Sequence, residues 1–218
     1  MPPAPAGAPS AATTRRLMKE YAAAQAELGD ASSSSSSMPS LLVADVDAGT
    51  EGGDELFGDA AELAAQARAE KKERRRKGAN PDLLELRPYD AEGEDLFDWV
   101  AVIRGPEGGS YQGGTFQIAI TVPPSYPLKA PSMMFRTRIW HPNVHWTSGE
   151  ICLDVLAGQW SPAWTLSSAM TAVIALLDAP EADSPLNVDA ATVLRTGDMR
   201  AYRSAARMYT LLYAAGDQ

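Results

Sequence analysis

The spacing of apolar residues changes twice along this chain, and each change marks a different kind of element. Leu17, Tyr21, Ala24 and Leu28 recur at helical intervals, which predicts a helix over Thr13–Leu28 with one apolar face. Thr13 or Thr14 is expected to cap it and Gly29 to stop it. From Pro81 the pattern becomes that of strands. Leu83–Arg87 ahead of Pro88, Phe97–Arg104, Thr115–Val122 and Ser132–Arg136 are the candidates. Thr115–Val122 alternates most cleanly: Phe116, Ile118, Ile120 and Val122 share one face, and Gln117, Ala119 and Thr121 the other. Gly105-Pro106 and Gly108-Gly109 mark a turn. The segment 123–131 carries four prolines and cannot be a central strand.

After Thr165 the helical period returns. Leu166, Met170, Val173, Ile174 and Leu177 make an apolar stripe over Leu166–Asp178, with Thr165 or Ser167 as cap and Pro180 ending it. Val188–Arg195, stopping before Gly197, and Met199–Ala215 follow as two more helices. The expected fold is α+β: a four-stranded antiparallel meander with one helix before it and three after it.

The stretches between these elements are of different character. Residues 1–12 are rich in Pro and Ala and read as a disordered tail. Residues 29–80 read as an insertion. They hold six consecutive serines, Ser32–Ser37, then seven acids and no base between Asp45 and Glu62. An Ala-rich, helix-like stretch over Asp59–Lys77 ends this insertion in K-K-E-R-R-R-K. That basic end suits a helix C-terminus. It reads first as a solvated helix end, as most charge runs are, and less readily as a partner for the acidic run or a contact for anionic lipid or nucleic acid. The core is then 13–28 with 81–215.

Charge and cysteine usage narrow the function. A net charge of −9 disfavours nucleic acid as the main partner. A single cysteine excludes an internal disulfide and fits a reducing, cytoplasmic compartment. No apolar run reaches the ~20 residues that span a bilayer. One Cys and two His in separate settings do not make a zinc site, and no cofactor is expected.

The candidate chemistry lies in Trp140–Trp164, which holds Cys152 and both histidines, His141 and His145. Pro142 fixes its own φ and drives His141 towards extended backbone. Asn143 suits a turn and can bond nearby backbone. Gly149 is expected to permit a tight approach to the segment around Cys152. Taken alone, Cys152 fits a small buried hydrophobe better than a reactive group. Its surroundings reverse that reading.

H-P-N at 141–143, I-C-L-D at 151–154 and W-S-P-A at 160–163, in that order, resemble the active-site signature of ubiquitin-conjugating enzymes. G-P-E-G-G-S-Y-Q-G-G-T-F at 105–116 and P-S-Y-P-L-K-A-P at 124–131 resemble other shared segments of that family. The extra residue in H-P-N-V-H-W-T-S-G-E-I-C, the P-E-A-D-S-P-L-N-V-D segment at 180–189 and V-L-R-T-G-D at 193–198 are most similar to its peroxisomal branch. The resemblance implies the UBC fold and a transferase in which Cys152 accepts ubiquitin as a thioester from an ATP-dependent activating enzyme. Asn143 would then either donate to the oxyanion of discharge or brace its loop. His141 and Pro142 would be architectural. Asp183 and Ser184 would stand beside the thioester, Ser184 where many relatives carry an aspartate. Leu128 with Ser161, Pro162 and Ala163 would bind RING-type ligases, and Arg15, Arg16 and Lys19 the activating enzyme. A membrane-anchored docking peroxin is the further partner implied, with a peripheral position on the cytosolic face of the peroxisomal membrane and the import receptor as acceptor for its recycling.

Three other functions compete. One is conjugation in another branch of the family, or of a ubiquitin-like modifier. Another is a non-catalytic ubiquitin-binding variant, against which Cys152 in its full context argues. The third is a cysteine hydrolase built on Cys152, His141 and Asn143, disfavoured by residue order and by the restriction that Pro142 places on the imidazole.

Overall fold

The computed structural model describes residues 10–32, 80–90, 95–151 and 160–215. The chain divides into two compact units, residues 1–25 with 82–218, and residues 26–81. Cys152 with its neighbours to 159, the acidic run and the expected helix at Asp59–Lys77 lie outside the described residues.

The first helix, α1, runs over Ala11–Ser32, starting two residues before the expected point and continuing through Gly29. Its start moves because Ser10, not Thr13 or Thr14, caps it: the Ser10 hydroxyl accepts the Thr13 N–H at 3.1 Å, leaving Thr13 free to donate elsewhere. Ala11 and Ala12 therefore belong to the helix, and Ser10 caps it, rather than all three forming part of a disordered tail. A single glycine costs a helix only about 1 kcal/mol relative to alanine, too little to stop α1 by itself.

Four strands follow, β1 (Leu83–Pro88), β2 (Asp98–Arg104), β3 (Thr115–Thr121) and β4 (Ser132–Phe135), hydrogen-bonded in the order β1-β2-β3-β4, each pair antiparallel. This is the expected meander. Alternation decides which face is buried: in β3, Phe116, Ile118 and Ile120 are buried while Thr115, Gln117 and Thr121 are exposed. Trp99, Val100, Ala101 and Ile103 of β2 join the core, where Trp99 meets Tyr21 of α1 edge-on at 5.9 Å.

Three helices complete the described fold: α2 (Leu166–Asp178), α3 (Val188–Arg195) and α4 (Met199–Tyr213). Thr165 caps α2 in a full capping box with Ser168, and Asn187 and Asp198 cap α3 and α4. α2 lies against β1, and α3 packs beside α4. After α4 the chain returns to the sheet, where Thr115 N–H donates to the Ala214 carbonyl at 2.8 Å.

Between β4 and α2 the backbone folds into a tight hairpin. Val144 pairs with Ile151 and Glu150 with Met134 of β4. Gly149 makes this geometry accessible, although its close approach is to β4 rather than to the segment around Cys152. Its φ is +77°, and a Cβ there would stand 2.1 Å from the Phe135 carbonyl oxygen. Both the backbone angle and the space exclude a side chain.

Candidate active site

The turn at 141–143 is buried, and the polar atoms of its side chains are all used. The His141 Nδ1 accepts the Asn143 N–H at 3.0 Å. The proton is therefore on Nε2, which donates to the Leu176 carbonyl of α2 at 3.0 Å. Burial drives the imidazole pKa down to about 4, against the opposing pull of that carbonyl. A neutral ring with both nitrogens committed to backbone has no capacity left for proton transfer.

Asn143 reaches the other way, into the segment after α2. Its Nδ2 donates to the carbonyls of Glu181 at 2.7 Å and Ser184 at 3.3 Å, and its Oδ1 accepts the Glu181 N–H at 2.8 Å. The neighbouring Pro142 carbonyl accepts from Leu186 and Asn187 N–H at 2.8 and 2.9 Å. Residues 181–187 thus hang from two consecutive residues of the turn. Arg195 of α3 holds the same loop at the Ala182 carbonyl. Asp183 and Ser184 remain exposed at its apex.

The opposite end of the turn leads towards Cys152. Ile151 is buried, pairs with Val144 and donates to the Met133 carbonyl at 3.2 Å. The backbone immediately before Cys152 is therefore fixed to both β4 and the H-P-N turn. His145 plays no part in this: it is exposed, and its Nδ1 accepts from Ser148 N–H at 3.1 Å, closing the hairpin tip. An aromatic layer backs the turn. Tyr111 donates to the Trp140 carbonyl at 2.9 Å and shares a hydrogen bond with Tyr202 of α4. Burial lifts the Tyr202 phenol to about 12, so both phenols stay protonated. Trp140 and Trp146 pack on Tyr209, the latter edge-on at 5.1 Å.

The structure brings His141, Pro142, Asn143, Asp183 and Ser184 together in this one place. Leu128 and residues 161–163 form a second place. Leu128 is 77% exposed at the end of a turn whose Tyr126–Pro127 peptide is cis, and Pro162 and Ala163 are exposed, with Ser161 half-buried. Trp160 joins the two loops by donating from Nε1 to the Pro127 carbonyl at 2.9 Å. Of the three cationic candidates on α1, Arg15 and Lys19 are exposed. Arg16 is turned inward, donating to the Trp164 carbonyl at 2.6 Å.

Sequence reasoning does not reach the long-range roles of Glu20 and Thr13, whose partners lie more than 100 residues away, or the Arg195 bond to Ala182. The available signal was the spacing Thr13, Arg16, Glu20, which places three polar residues along one edge of an otherwise apolar-faced helix.

Comparison with known proteins bears on the same region. A family profile described as "Ubiquitin-conjugating enzyme" matches residues 67–210. Protein PEROXIN-4 of Arabidopsis thaliana is 49% identical over 144 residues, covering 66% of this chain and 89% of that protein. Ubiquitin-conjugating enzyme E2 pex4 of Dictyostelium discoideum is 48% identical over 134 residues, covering 62% and 90%. Among solved structures, the H. polymorpha ubiquitin-conjugating enzyme Pex4p, in complex with the soluble domain of Pex22p, aligns at a TM-score of 0.66. It has 29% identity, over 94% of this chain and all of that one. A ubiquitin-conjugating enzyme domain from Toxoplasma gondii aligns at 0.54 with 35% identity, over 60% and 88%.

Proposed function

Because this chain belongs to the ubiquitin-conjugating enzyme family, and within it is most similar to the Pex4 type among the relatives above, we propose that Cys152 is the residue that carries ubiquitin. The observation that carries the proposal is the anchoring of Ile151, the residue before Cys152, to the buried H-P-N turn and to β4. A support fixed up to the residue before the nucleophile leaves less of the chain to be ordered when a large acyl donor is met.

In the loading step the Cys152 thiolate attacks the thioester carbonyl of the charged activating enzyme and expels that enzyme's thiolate. One thioester forms and one breaks, so the exchange is close to balanced and needs no dedicated base. This agrees with a His141 that has no free nitrogen. Discharge then passes the acyl group, with a RING-type ligase at Leu128 and Ser161–Ala163, to a protein acceptor. Asp183 and Ser184 line the approach. Serine gives an incoming lysine, with its usual pKa of ~10.4, less help in losing a proton than a carboxylate would, and a thiol of ~8.5 has less need of it. The acceptor reading that follows is a thiol of the peroxisomal import receptor, modified for recycling.

The docking partner follows from the complex of the H. polymorpha relative with the soluble domain of Pex22p. No described helix of this chain is long and apolar enough to cross a membrane, so a membrane-anchored partner of that kind would supply attachment to the peroxisome. The outward stripe of α4, with Met208, Leu211 and Leu212 all exposed, is the surface that suits it.

The test is thioester formation with activating enzyme, ATP and ubiquitin, read on a non-reducing gel. An adduct that thiols remove, absent in Cys152→Ala, is the expected result. Failure to load ubiquitin under conditions that load another family member would overturn the assignment in favour of a different modifier or a binding role.

A further inference from the structure

We propose that Glu20 is a positioning residue for ligase engagement, acting through a closed circuit of hydrogen bonds that sets the two exposed loops at a fixed distance from each other. The inference rests on the reading of those loops as the ligase surface.

The circuit starts on α1. The Glu20 carboxylate accepts three donors from three different parts of the chain: Arg16 Nε at 2.8 Å, the Tyr126 hydroxyl at 2.8 Å and the Leu166 N–H at 2.9 Å. Tyr126 lies two residues before Leu128. Leu166 is the first residue of α2, so the carboxylate also sits where the unpaired N–H groups and positive end of that helix favour an anion. Arg16 repeats the arrangement. Its guanidinium lies 5.3 Å from the centre of the Tyr126 ring and donates to the Trp164 carbonyl at 2.6 Å. One turn earlier the Thr13 hydroxyl donates to the Tyr126 carbonyl at 3.0 Å. Trp160 closes the loop by bonding the Pro127 carbonyl, with its ring 5.8 Å from that of Tyr126.

Each loop is therefore held three ways: to α1, to the other loop, and by its own turn. The side chains at the exposed tips, Leu128 on one and Pro162 and Ala163 on the other, take no part in the bonds to α1 or between the loops. Their relative position is instead dictated by Thr13, Arg16 and Glu20, which share one edge of α1. A partner that covers both tips at once binds most tightly when their spacing is already correct, since ordering them on binding would subtract from affinity. Glu20 is the centre of this arrangement because its carboxylate joins Arg16, Tyr126 of one loop and the Leu166 N–H that follows the other. Burial and the nearby carboxylate hold the Tyr126 phenol well above its usual pKa, so the hydroxyl remains a donor throughout the physiological range.

The experiment is single-turnover discharge of ubiquitin-charged enzyme to free cysteine, titrated with the isolated RING domain of a broadly acting ligase. Wild type is compared with Leu128→Ala, Glu20→Gln, Glu20→Ala and Tyr126→Phe. Glutamine keeps one acceptor oxygen and loses the charge, and alanine loses everything. The expected order is a half-saturating RING concentration that rises by a few-fold in Tyr126→Phe and Glu20→Gln and by about tenfold in Glu20→Ala. The saturated rate and the rate without RING should stay within twofold of wild type. Should Glu20→Ala not fold, Glu20→Gln and Tyr126→Phe carry the test. A role confined to stability would lower all rates together, or lower Tm with no change in half-saturation; either overturns the proposal. If Leu128→Ala loses RING stimulation while Tyr126→Phe and Glu20→Gln titrate as wild type, the positioning role fails and the ligase surface stands. If Leu128→Ala also titrates as wild type, the ligase surface fails and the proposal falls with it.

Discussion

His141 illustrates how a residue that invites a catalytic role can be spent on architecture. Its two nitrogens satisfy an N–H and a carbonyl that would otherwise be buried without partners, each a loss of roughly 1–3 kcal/mol. Asn143, beside it, uses both amide hydrogens and its oxygen on Glu181 and Ser184. The sequence left two roles open for Asn143, and this geometry favours bracing; donation to an oxyanion would require one of those bonds to be exchanged. The histidine makes a prediction about pH. Its folded pKa of about 4 lies below the ~6.5 of an unfolded histidine, so the unfolded state binds more protons between those values. Its share of stability is complete above pH 6.5 and declines as pH falls towards 4, by about 3 kcal/mol in all. NMR titration should find the His141 ring still neutral at pH 5, and urea unfolding should show about 2 kcal/mol of its contribution gone between pH 7 and 5. A ring that titrates above pH 6 would refute the buried, doubly bonded arrangement.

Among the elements, those with a strong period were legible from residues alone. β3 alternates over seven residues, α2 repeats a five-residue stripe, and Pro180 and Gly197 sit where those helices stop, so the bounds of these segments came out nearly as the structure has them. α1 was read two residues short at one end and four at the other, because Ser10 outcompetes Thr13 as a cap and Gly29 is a weak breaker. What no local pattern could show is partnership across the chain: Thr13 with Tyr126, Arg16 with Trp164 and Glu20 with Leu166 are separated by more than 100 residues. α4 presents a different case, since it has two apolar faces. Tyr202, Ala206 and Thr210 are buried, with Tyr209 against Trp140, while Met208, Leu211 and Leu212 face outward. Three adjacent exposed apolar side chains at helical spacing are the mark of a covered surface. Leu212 is 64% exposed, so Leu212→Asp should change Tm little. Binding to the soluble domain of a Pex22-type partner, followed by calorimetry, should weaken at least tenfold through loss of a buried leucine. Unchanged affinity would move the docking surface elsewhere.

At the level of the whole molecule, the long stretch between α1 and β1 decides what counts as the domain. The family profile begins at residue 67, so α1, which ends at Ser32, falls outside the matched region together with residues 33–66, although α1 packs on the sheet through Tyr21 and Trp99. A chain can carry such a stretch because the entropy of closing a loop grows only with the logarithm of its length. Cutting the 47 residues from 33 to 79 down to the 13 from 67 to 79 changes that term by about 1 kcal/mol, in favour of the folded state. If 33–66 is an insertion, its removal should leave α1 packed through Tyr21 on Trp99 and the Glu20 circuit intact. Tm should then be equal to that of the full chain or a few degrees higher, and the rate of charging on Cys152 should be unchanged. A fall in Tm of more than about 5 °C would mean that the segment contributes packing of its own. A normal Tm with slow charging would assign it instead a part in meeting the activating enzyme, to which its acidic run, with seven acids and no base between Asp45 and Glu62, would add attraction at long range.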